Sequence, residues 1–499
     1  MRAVNTSFKI PSELVKRAQS ITPETRSYRS EFSRDRDRIL YSRAFRRLAG
    51  KTQIYRIGID DHQRNRLTHT LEVAQIAKAV ACALNLDDDL AEAIALGHDL
   101  GHTPFGHAGE QILHELMTPC KTAVEGSPLR RKAAGSKHDD LMILYGFKHN
   151  VQSVRTAAVI EDNYGKYGLN LTNYTLWGIL HHTNINYSID SRRKTTNIVG
   201  YYEELKNLMQ VNGGGNEAWS FEGLIVKCAD EIAQIHHDME DALLGSAMTT
   251  DDVNSAIRAF LKVMAIEETA PAIEDIPNTE YPDREYVTTI SGIVINTLVT
   301  KLIDCSQFNL SQIKQVLGHR RVSETDFFRH YNINSTIGSG KIGEAIGFFK
   351  YAYCTKERVN QSQYSSENEI IKSSLSRMYA TISEKIHHSM DVERMNTKGQ
   401  YIIRKLFEAY YANPQQLPDG AIIHYMIDAK ERNDEGILYS TPRDAIRVGI
   451  GKVRSDFEKL RNDPSKFNDK LKVLLMRRIC DHIAGMTDRY AIFEYNNLY

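Results

Sequence analysis

Apolar residues recur along this chain at helical spacing, and no alternating apolar–polar pattern is long enough for a large sheet. Leu67, Leu71, Ala74, Ile76, Ala77 and Val80 fall at roughly helical spacing between Leu67 and Leu84. Asp87, Asp88 and Asp89 mark a second helix start, and Leu90 to Leu100 continues it until Gly101. Thr103-Pro104 is a turn, after which Phe105 to Met117 resumes with Phe105, Ile112, Leu113 and Leu116 inward. Helical patterning returns over Lys148 to Ile160 and Leu171 to His182. From Phe221 to Leu244, one stripe is apolar: Phe221, Ile225, Cys228, Ile232, Ile235, Met239 and Leu243. A second stripe carries Asp230, Gln234, His237, Asp238 and Asp241, which taken alone reads as a solvated face. Gly399 to Ala412 and Leu471 to Phe493 read as mostly helical. With no repeat at a fixed period, the expected fold class is all-α.

The segments between helices are polar. Thr118 to Asp140 holds Gly126-Ser127-Pro128 and Arg130-Arg131-Lys132 and reads as an exposed loop, long enough for a functional role. Asn212-Gly213-Gly214-Gly215 lacks the Lys-Ser/Thr that would make it a phosphate-binding loop. Glu267 to Asp283 is a proline-rich acidic connection, and Asn360 to Asn368 a polar surface loop.

Composition adds exclusions. The 499 residues are 41% apolar and 25% charged with zero formal net charge, which argues against a general polyanion binder. Local basic patches remain at Arg34 to Gln53, with Arg46 and Arg47, and at Arg130-Arg131-Lys132. The six cysteines form no CxxC pair, so neither a zinc ribbon nor a disulfide framework is expected, and a reducing, cytoplasmic setting is. Met1 to Ser20 lacks an apolar signal-peptide core, and no apolar run is read as approaching the roughly 20 residues of a membrane span.

The chemistry concentrates between Arg66 and Glu110, where His69, His98, His102 and His107 accompany Asp99 and Glu110. His98-Asp99, with His69 one helix earlier and Asp230 far along the chain, offers two imidazoles and two carboxylates. Such a mixed N/O set leaves about two positions of a six-coordinate ion open, and suits manganese, iron, cobalt or magnesium better than a closed structural zinc site. His102 and His107 titrate near neutrality and can move protons. Glu110, three residues after His107, shares its helical face and is expected to orient that ring. Arg66, one turn before His69, would place a guanidinium beside the ion, where it suits an oligophosphate.

These residues resemble the HD phosphohydrolase superfamily, and more closely its deoxynucleoside triphosphate triphosphohydrolases, the dGTPase family. The resemblance rests on Arg36-Asp37-Arg38-Ile39 through Arg46-Arg47-Leu48 and Lys51-Thr52-Gln53. It continues through Asn65 to His69, Gly97 to Glu110 and Phe147-Lys148-His149-Asn150-Val151-Gln152-Ser153. Later come Ala229-Asp230-Glu231-Ile232-Ala233, His237 to Ala242 and Ile483 to Ala491. It spans nearly the whole chain in the expected order. It implies an HD-domain helical core with an extended helical C-terminal half: an N-terminal segment 1–64 contributing to the site, a metal-dependent core 65–245, and a C-terminal region 246–499 for assembly and part of the nucleotide pocket.

The resemblance also implies roles. His69, His98, Asp99 and Asp230 look like ligands of one divalent cation per subunit, Mg2+, Mn2+ or another transition metal. His102, His107 and Glu110 look like the catalytic, α-phosphate-facing group. Arg66 and Asn150 look like substrate contacts, Gln53 and Asp238 like contacts to the deoxyribose 3′-hydroxyl. The implied reaction releases inorganic triphosphate from a deoxynucleoside triphosphate, dGTP first, in a homo-oligomer, a hexamer foremost, with single-stranded DNA or a nucleotide as effector. The sequence departs from the family at Gln234, where a tyrosine under the sugar is common, and at His181-His182, in place of a Lys-Tyr-like pair. The Thr118–Asp140 segment is also longer. Competing readings are a (p)ppGpp hydrolase, which usually carries HD-x-x-E-D where this chain has His98-Asp99-Leu100-Gly101-His102, a cyclic-nucleotide phosphodiesterase with additional metal-binding histidines, and a regulatory nucleic-acid-binding protein with a vestigial core.

Overall fold

The structure, a computed structural model, describes residues 8–20, 28–53, 64–119, 124–131, 146–183, 220–244, 249–264, 279, 283–320, 390–433 and 440–499. The protein is all-α: among the described residues no strand forms, and the only extended pairings are the isolated bridges Arg17–Thr172 and Thr52–Asn65. The helices are α1 (Glu31–Leu40), α2 (Arg43–Arg47), α3 (Arg66–Ala83), α4 (Asp88–Gly97), α5 (Gly106–Leu116), α6 (Pro128–Arg131), α7 (His149–Arg155) and α8 (Asn173–His181). Then follow α9 (Phe221–Leu244), α10 (Thr250–Met264), α11 (Arg284–Arg320), α12 (Met390–Ala412), α13 (Asp419–Asn433), α14 (Pro442–Val448), α15 (Ile450–Asn462), α16 (Asp469–Ala484) and α17 (Asp488–Leu498).

Helix starts follow local chemistry. Asn65 and Thr68 form a reciprocal capping box that fixes the first turn of α3, the turn carrying Arg66 and His69. Ser30, Thr172, Asn468 and Thr487 each accept a hydrogen bond from a backbone N–H in the first turn of their helices. The Leu471–Phe493 pattern resolves into α16 and α17, separated at Gly485-Met486-Thr487. Leu71, assigned above to an apolar stripe, is exposed.

Two elements near the site differ from expectation. Helix α4 ends at Gly97, with His98 as its C-cap, so Gly101 is not its terminator. Gly101 instead lets α7 approach: a Cβ there would lie 2.1 Å from the Ser153 amide nitrogen. Phe105 precedes α5 in the left-handed region at φ 60°, which costs a non-glycine residue energy and holds only where the surroundings dictate it. Its amide donates to Asp488 Oδ1 at 2.9 Å, and Gly399 of α12 packs so closely that a Cβ there would meet the Phe105 ring at 2.6 Å.

Apolar side chains gather into two clusters whose membership does not follow chain order. The first joins the N-terminal segment, α1, α3, α4, α8, α9, α10 and α11. The second joins α5 with α12 through α17. The polar stripe of α9 is not solvated: His237 and Asp238 are fully buried. Arg284–Asp304 within α11 does pass the length and composition test for a membrane span, at mean hydropathy 1.4, contrary to the reading above. Its Tyr286, Ile290, Val294, Leu298 and Leu302 are spent in the first cluster, packed against α9 and α3. Asn212–Gly215 and Asn360–Asn368, and nearly all of Glu267–Asp283, lie outside the described residues, as does most of Thr118–Asp140.

Candidate active site

The four side chains expected to bind a cation converge. His69 Nε2 lies 3.0 Å from Asp230 Oδ1, and His98 Nε2 lies 3.3 Å from Asp99 Oδ1 and 3.8 Å from Asp230 Oδ1. His98 donates its Nδ1–H to the Ala95 carbonyl at 2.6 Å, which fixes the tautomer and leaves Nε2 as a buried lone pair without a hydrogen-bonding partner. An orphaned imidazole nitrogen facing two carboxylates is the donor set a borderline divalent cation takes. Burial opposes ionisation of both acids, yet His98 and Arg66 hold Asp99 well below the usual carboxylate range, and the His69 hydrogen bond and His98 do the same for Asp230. Arg66 binds Asp99 Oδ2 at 2.8 Å.

Behind His69 stands a chain that sequence reasoning missed. His69 Nδ1 is 3.1 Å from His237 Nδ1, and His237 Nε2 is 2.5 Å from Glu72 Oε2. Arg64 pairs with Glu72 at 3.4 Å and also binds Glu240. If His69 keeps Nε2 for the cation, its Nδ1–H donates to His237, whose Nε2–H donates to Glu72. The Glu72 carboxylate thus sets the tautomer and basicity of a ligand two rings away. Glu72 stands one turn after His69 on α3 and His237 two turns after Asp230 on α9, a spacing that a helical projection of each would have shown.

The proton-moving group is arranged differently from expectation. Glu110 does not hold His107: its Oε2 accepts from His149 Nδ1 at 2.5 Å and its Oε1 from Lys148 Nζ at 2.5 Å. The reason is position. Glu110 lies on the buried side of α5 facing the α7 start, whereas His107 in the first turn opens into the cavity. Glu110 is held far below the usual range against burial, by His149 and then Lys148. His102 stacks on His149 at a centroid distance of 4.0 Å, and its Nε2 is 3.2 Å from Asp99 Oδ1. The cleft walls, with Arg66 and His149, bring His107 down to about 4, despite the opposing pull of Glu110. His149 and His182 were not named as site residues by sequence reasoning; the first lay within a quoted motif and the second was noted only as a departure.

The cavity measures about 410 Å³ and is lined by Gln53, Arg66, His69, Asp99, His102, His107, His149, His182, Asp230 and Gln234, closed by α12 through Val392, Glu393, Met395, Asn396, Thr397 and Gln400. Gln53 brings a buried Oε1 with no hydrogen-bonding partner. Asp238 is fully buried and does not line the cavity. Asn150 also stands away from it: its amide donates to the Leu180 carbonyl at 3.2 Å and to Thr183 Oγ1 at 2.8 Å, tying α7 to the end of α8. The C-terminal segment braces the rim. Asp488 accepts from the Thr52 amide at 3.1 Å, from the Thr52 hydroxyl and from the Phe105 amide, while Lys51 Nζ donates to the His102 and Ala484 carbonyls.

A helical core that presents His-Asp pairs to a polar cleft defines an HD-domain phosphohydrolase. Residues 66–185 match the HD domain family and residues 458–497 the phosphohydrolase-associated domain. Over 479 residues, 94% of this chain and 90% of its counterpart, the sequence is 31% identical to a deoxyguanosinetriphosphate triphosphohydrolase-like protein of Bartonella henselae. Proteins of the same description from Geobacter metallireducens and Rickettsia bellii are 29% and 30% identical, each over 476 residues and 95% of this chain, with 90% and 92% of their own lengths covered. The chain belongs to this family of dGTP triphosphohydrolase-like HD proteins, metal-dependent nucleotide triphosphohydrolases.

Proposed function

We propose that this protein hydrolyses deoxynucleoside triphosphates, dGTP foremost, to the deoxynucleoside and inorganic triphosphate. The observation that carries this reading is the convergence of His69, His98, Asp99 and Asp230 at one end of a cleft that also holds Arg66 and His107. Those four side chains would hold a divalent cation, which when bound polarises a phosphoryl oxygen and lowers the pKa of water.

The chain's own groups do the rest. Arg66 grips phosphate oxygens, and its tether to Asp99 keeps it beside the α-phosphate. His107 opens into the cleft and delivers a proton to the departing 5′-oxygen. Its low pKa in the free cleft rises when triphosphate brings negative charge alongside it. Glu110 acts through His149, keeping that ring in one tautomer. Gln53 meets the sugar edge with its unpartnered Oε1. Asp238 and Asn150, expected as substrate contacts, stand behind the lining and act on the substrate only through the residues in front of them. Gln234 lines the cleft where a stacked aromatic would exclude a 2′-hydroxyl more firmly.

For the base, Glu393 on α12 supports guanine. A carboxylate accepts from both N1–H and the 2-amino group of guanine, whereas adenine presents an acceptor at N1. We further propose a homo-oligomer, a hexamer foremost, supported by exposed Tyr401, Tyr490, Phe493 and Tyr499 on α12 and after α16. A cytoplasmic site of action and an effector role for nucleotide or single-stranded DNA belong to the same reading.

Purified protein incubated with each dNTP and Mn2+ or Mg2+, with products resolved by ion exchange, tests the reaction. Equimolar deoxyguanosine and inorganic triphosphate from dGTP is the expected result. Release of pyrophosphate or orthophosphate instead, or turnover of (p)ppGpp or cyclic nucleotides alone, overturns it.

A further inference from the structure

We propose that Asp488, in the segment that matches the phosphohydrolase-associated domain, is a positioning residue that aims His107 into the cleft through the Phe105 backbone. Asp488 opens α17, where the Thr487 side chain caps the first turn by accepting from the Tyr490 amide at 3.2 Å. It is buried and does not line the cleft, so it acts through other residues. Its two oxygens reach two separate stretches of the rim. Oδ1 accepts from the Phe105 amide at 2.9 Å, and Oδ2 from the Thr52 amide at 3.1 Å and from the Thr52 hydroxyl. Burial raises its pKa, while these hydrogen bonds and nearby Lys51 pull the other way.

The two stretches differ in what else holds them. Thr52 is also bridged to Asn65, and the Lys51 carbonyl before it accepts from the Arg66 amide at 3.1 Å. The turn at Phe105 carries more strain. Phe105 and Gly106 take φ of 60° and 58° in succession, a region that only glycine enters freely. Thr103 Oγ1 donates to the Gly106 carbonyl at 2.8 Å, which closes the turn on itself without fixing its direction. Packing on Gly399 holds the Phe105 ring; the Asp488 carboxylate holds the amide. His107 follows as the second residue of α5, so the direction in which α5 leaves this turn decides where the imidazole stands. A catalytic group displaced by about 1 Å loses on the order of 10² in rate. Asp488→Asn leaves one oxygen and one NH2, and the NH2 faces a donor, so one of the two ties breaks. The catalytic purpose rests on the triphosphohydrolase reading, with His107 as proton donor; the setting of the turn does not.

Full-length Asp488→Asn, compared with wild type, tests the inference by steady-state kinetics with dGTP and Mn2+ and by amide hydrogen exchange. kcat is expected to fall on the order of 10–100-fold with KM nearly unchanged, because Thr52 and Gln53 keep their other ties. Exchange is expected to speed up in the peptide holding Phe105 to His107 and to keep its wild-type rate in α4, α9 and α13, which a general loss of stability would raise together. If Asp488→Asn fails to fold by circular dichroism, Asp488→Glu replaces it. That variant keeps both acceptor oxygens but moves them outward by one methylene, and the same split is expected. Wild-type kcat, unchanged exchange at the turn, or faster exchange throughout α4, α9 and α13 in the variant that folds overturns the proposal. Wild-type protein that hydrolyses no dNTP sinks the function reading instead, and exchange at the turn then decides alone whether Asp488 sets it.

Discussion

The two sides of the cleft are built on different terms. The proposed cation end draws His69, His98, Asp99 and Asp230 from α3, the α4 cap and α9, which share one apolar cluster, and fixes the two imidazoles through hydrogen bonds behind them. The opposite wall is α12, set in the other cluster by close packing of Gly399 on Phe105 and Ile403 on Gly109. The first side is over-determined by polar partners, so losing one group should disturb the ion. The second is placed by shape, so losing one polar group there should alter preference and leave the chemistry intact.

The sharpest separation comes from the ligands. Asp99→Ala removes a proposed cation ligand and the anchor of Arg66, and turnover should fall by more than about 10²-fold, with tight metal binding lost and the helical spectrum kept. Asp230→Ala should behave alike. Stoichiometric metal with normal turnover in either variant would mean that the cation end is misassigned. His107→Ala should come next. It faces the cleft and makes no hydrogen bond to His69, His98, Asp99 or Asp230, so kcat should drop about 10²–10⁴-fold with metal content unchanged. A variant that lost activity only by losing metal would move the proton to His102.

Glu72→Gln probes the support behind His69. The amide cannot accept as strongly from His237, and metal affinity should weaken about 10–100-fold, read by competition with a chelating dye. Unchanged affinity would show that the His69–His237 contact is packing alone. On the other wall, Glu393→Gln should leave metal affinity and dATP turnover nearly as they were, and lower kcat/KM for dGTP about 10-fold, the cost of one weakened hydrogen bond from an exposed carboxylate to the base. An equal loss for every dNTP would place Glu393 in general cleft shape.

This asymmetry also explains what the sequence discloses. His98-Asp99 and His69 stand in local, dense motifs, and Asp230 rides a helix whose apolar stripe is fully buried as the spacing predicts, so the cation end is readable without coordinates. The partner of Glu110 is not. An i, i+3 rule favours His107, while the chain beyond α6 brings Lys148 and His149 to the other side of the carboxylate. The α12 wall is invisible for the same reason: Glu393, Asn396 and Gln400 look like any polar helix surface until Gly399 lets α12 settle on Phe105. The polar stripe of α9 misleads in the opposite direction, because alternating faces cannot tell a solvated carboxylate from one buried against histidines.

The same contrast extends to buried carboxylates that touch no substrate, where the smallest effect on turnover is expected. Asp481, in the second cluster, is gripped by Arg155 at 2.6 and 2.7 Å and lies 3.5 Å from Arg478; against burial, Arg155 holds its pKa below the ordinary value. Glu222, at the start of α9, has no cation: its Oε1 accepts the Asp87 amide at 2.9 Å, its Oε2 has no partner, and burial next to Asp87 pushes its pKa up to about 8. The signs follow. A carboxyl with a lowered folded pKa adds stability above its unfolded value and loses it as pH falls, so Asp481 stabilises at neutral pH. One with a raised pKa favours the fold while protonated, and that advantage drains away as pH climbs from about 4.5 to 8. Glu222→Gln keeps the acceptor for the Asp87 amide and offers Asp87 a donor instead of a second charge. It should therefore raise stability at pH 8 by on the order of 1–3 kcal/mol and flatten the pH dependence between pH 5 and 8, with dGTP turnover unchanged. Thermal melts across that range read it directly: a variant that melts with the wild-type slope would show that Glu222 is ionised and satisfied at neutral pH, and that the first cluster tolerates an unpaired charge which the second neutralises with arginine.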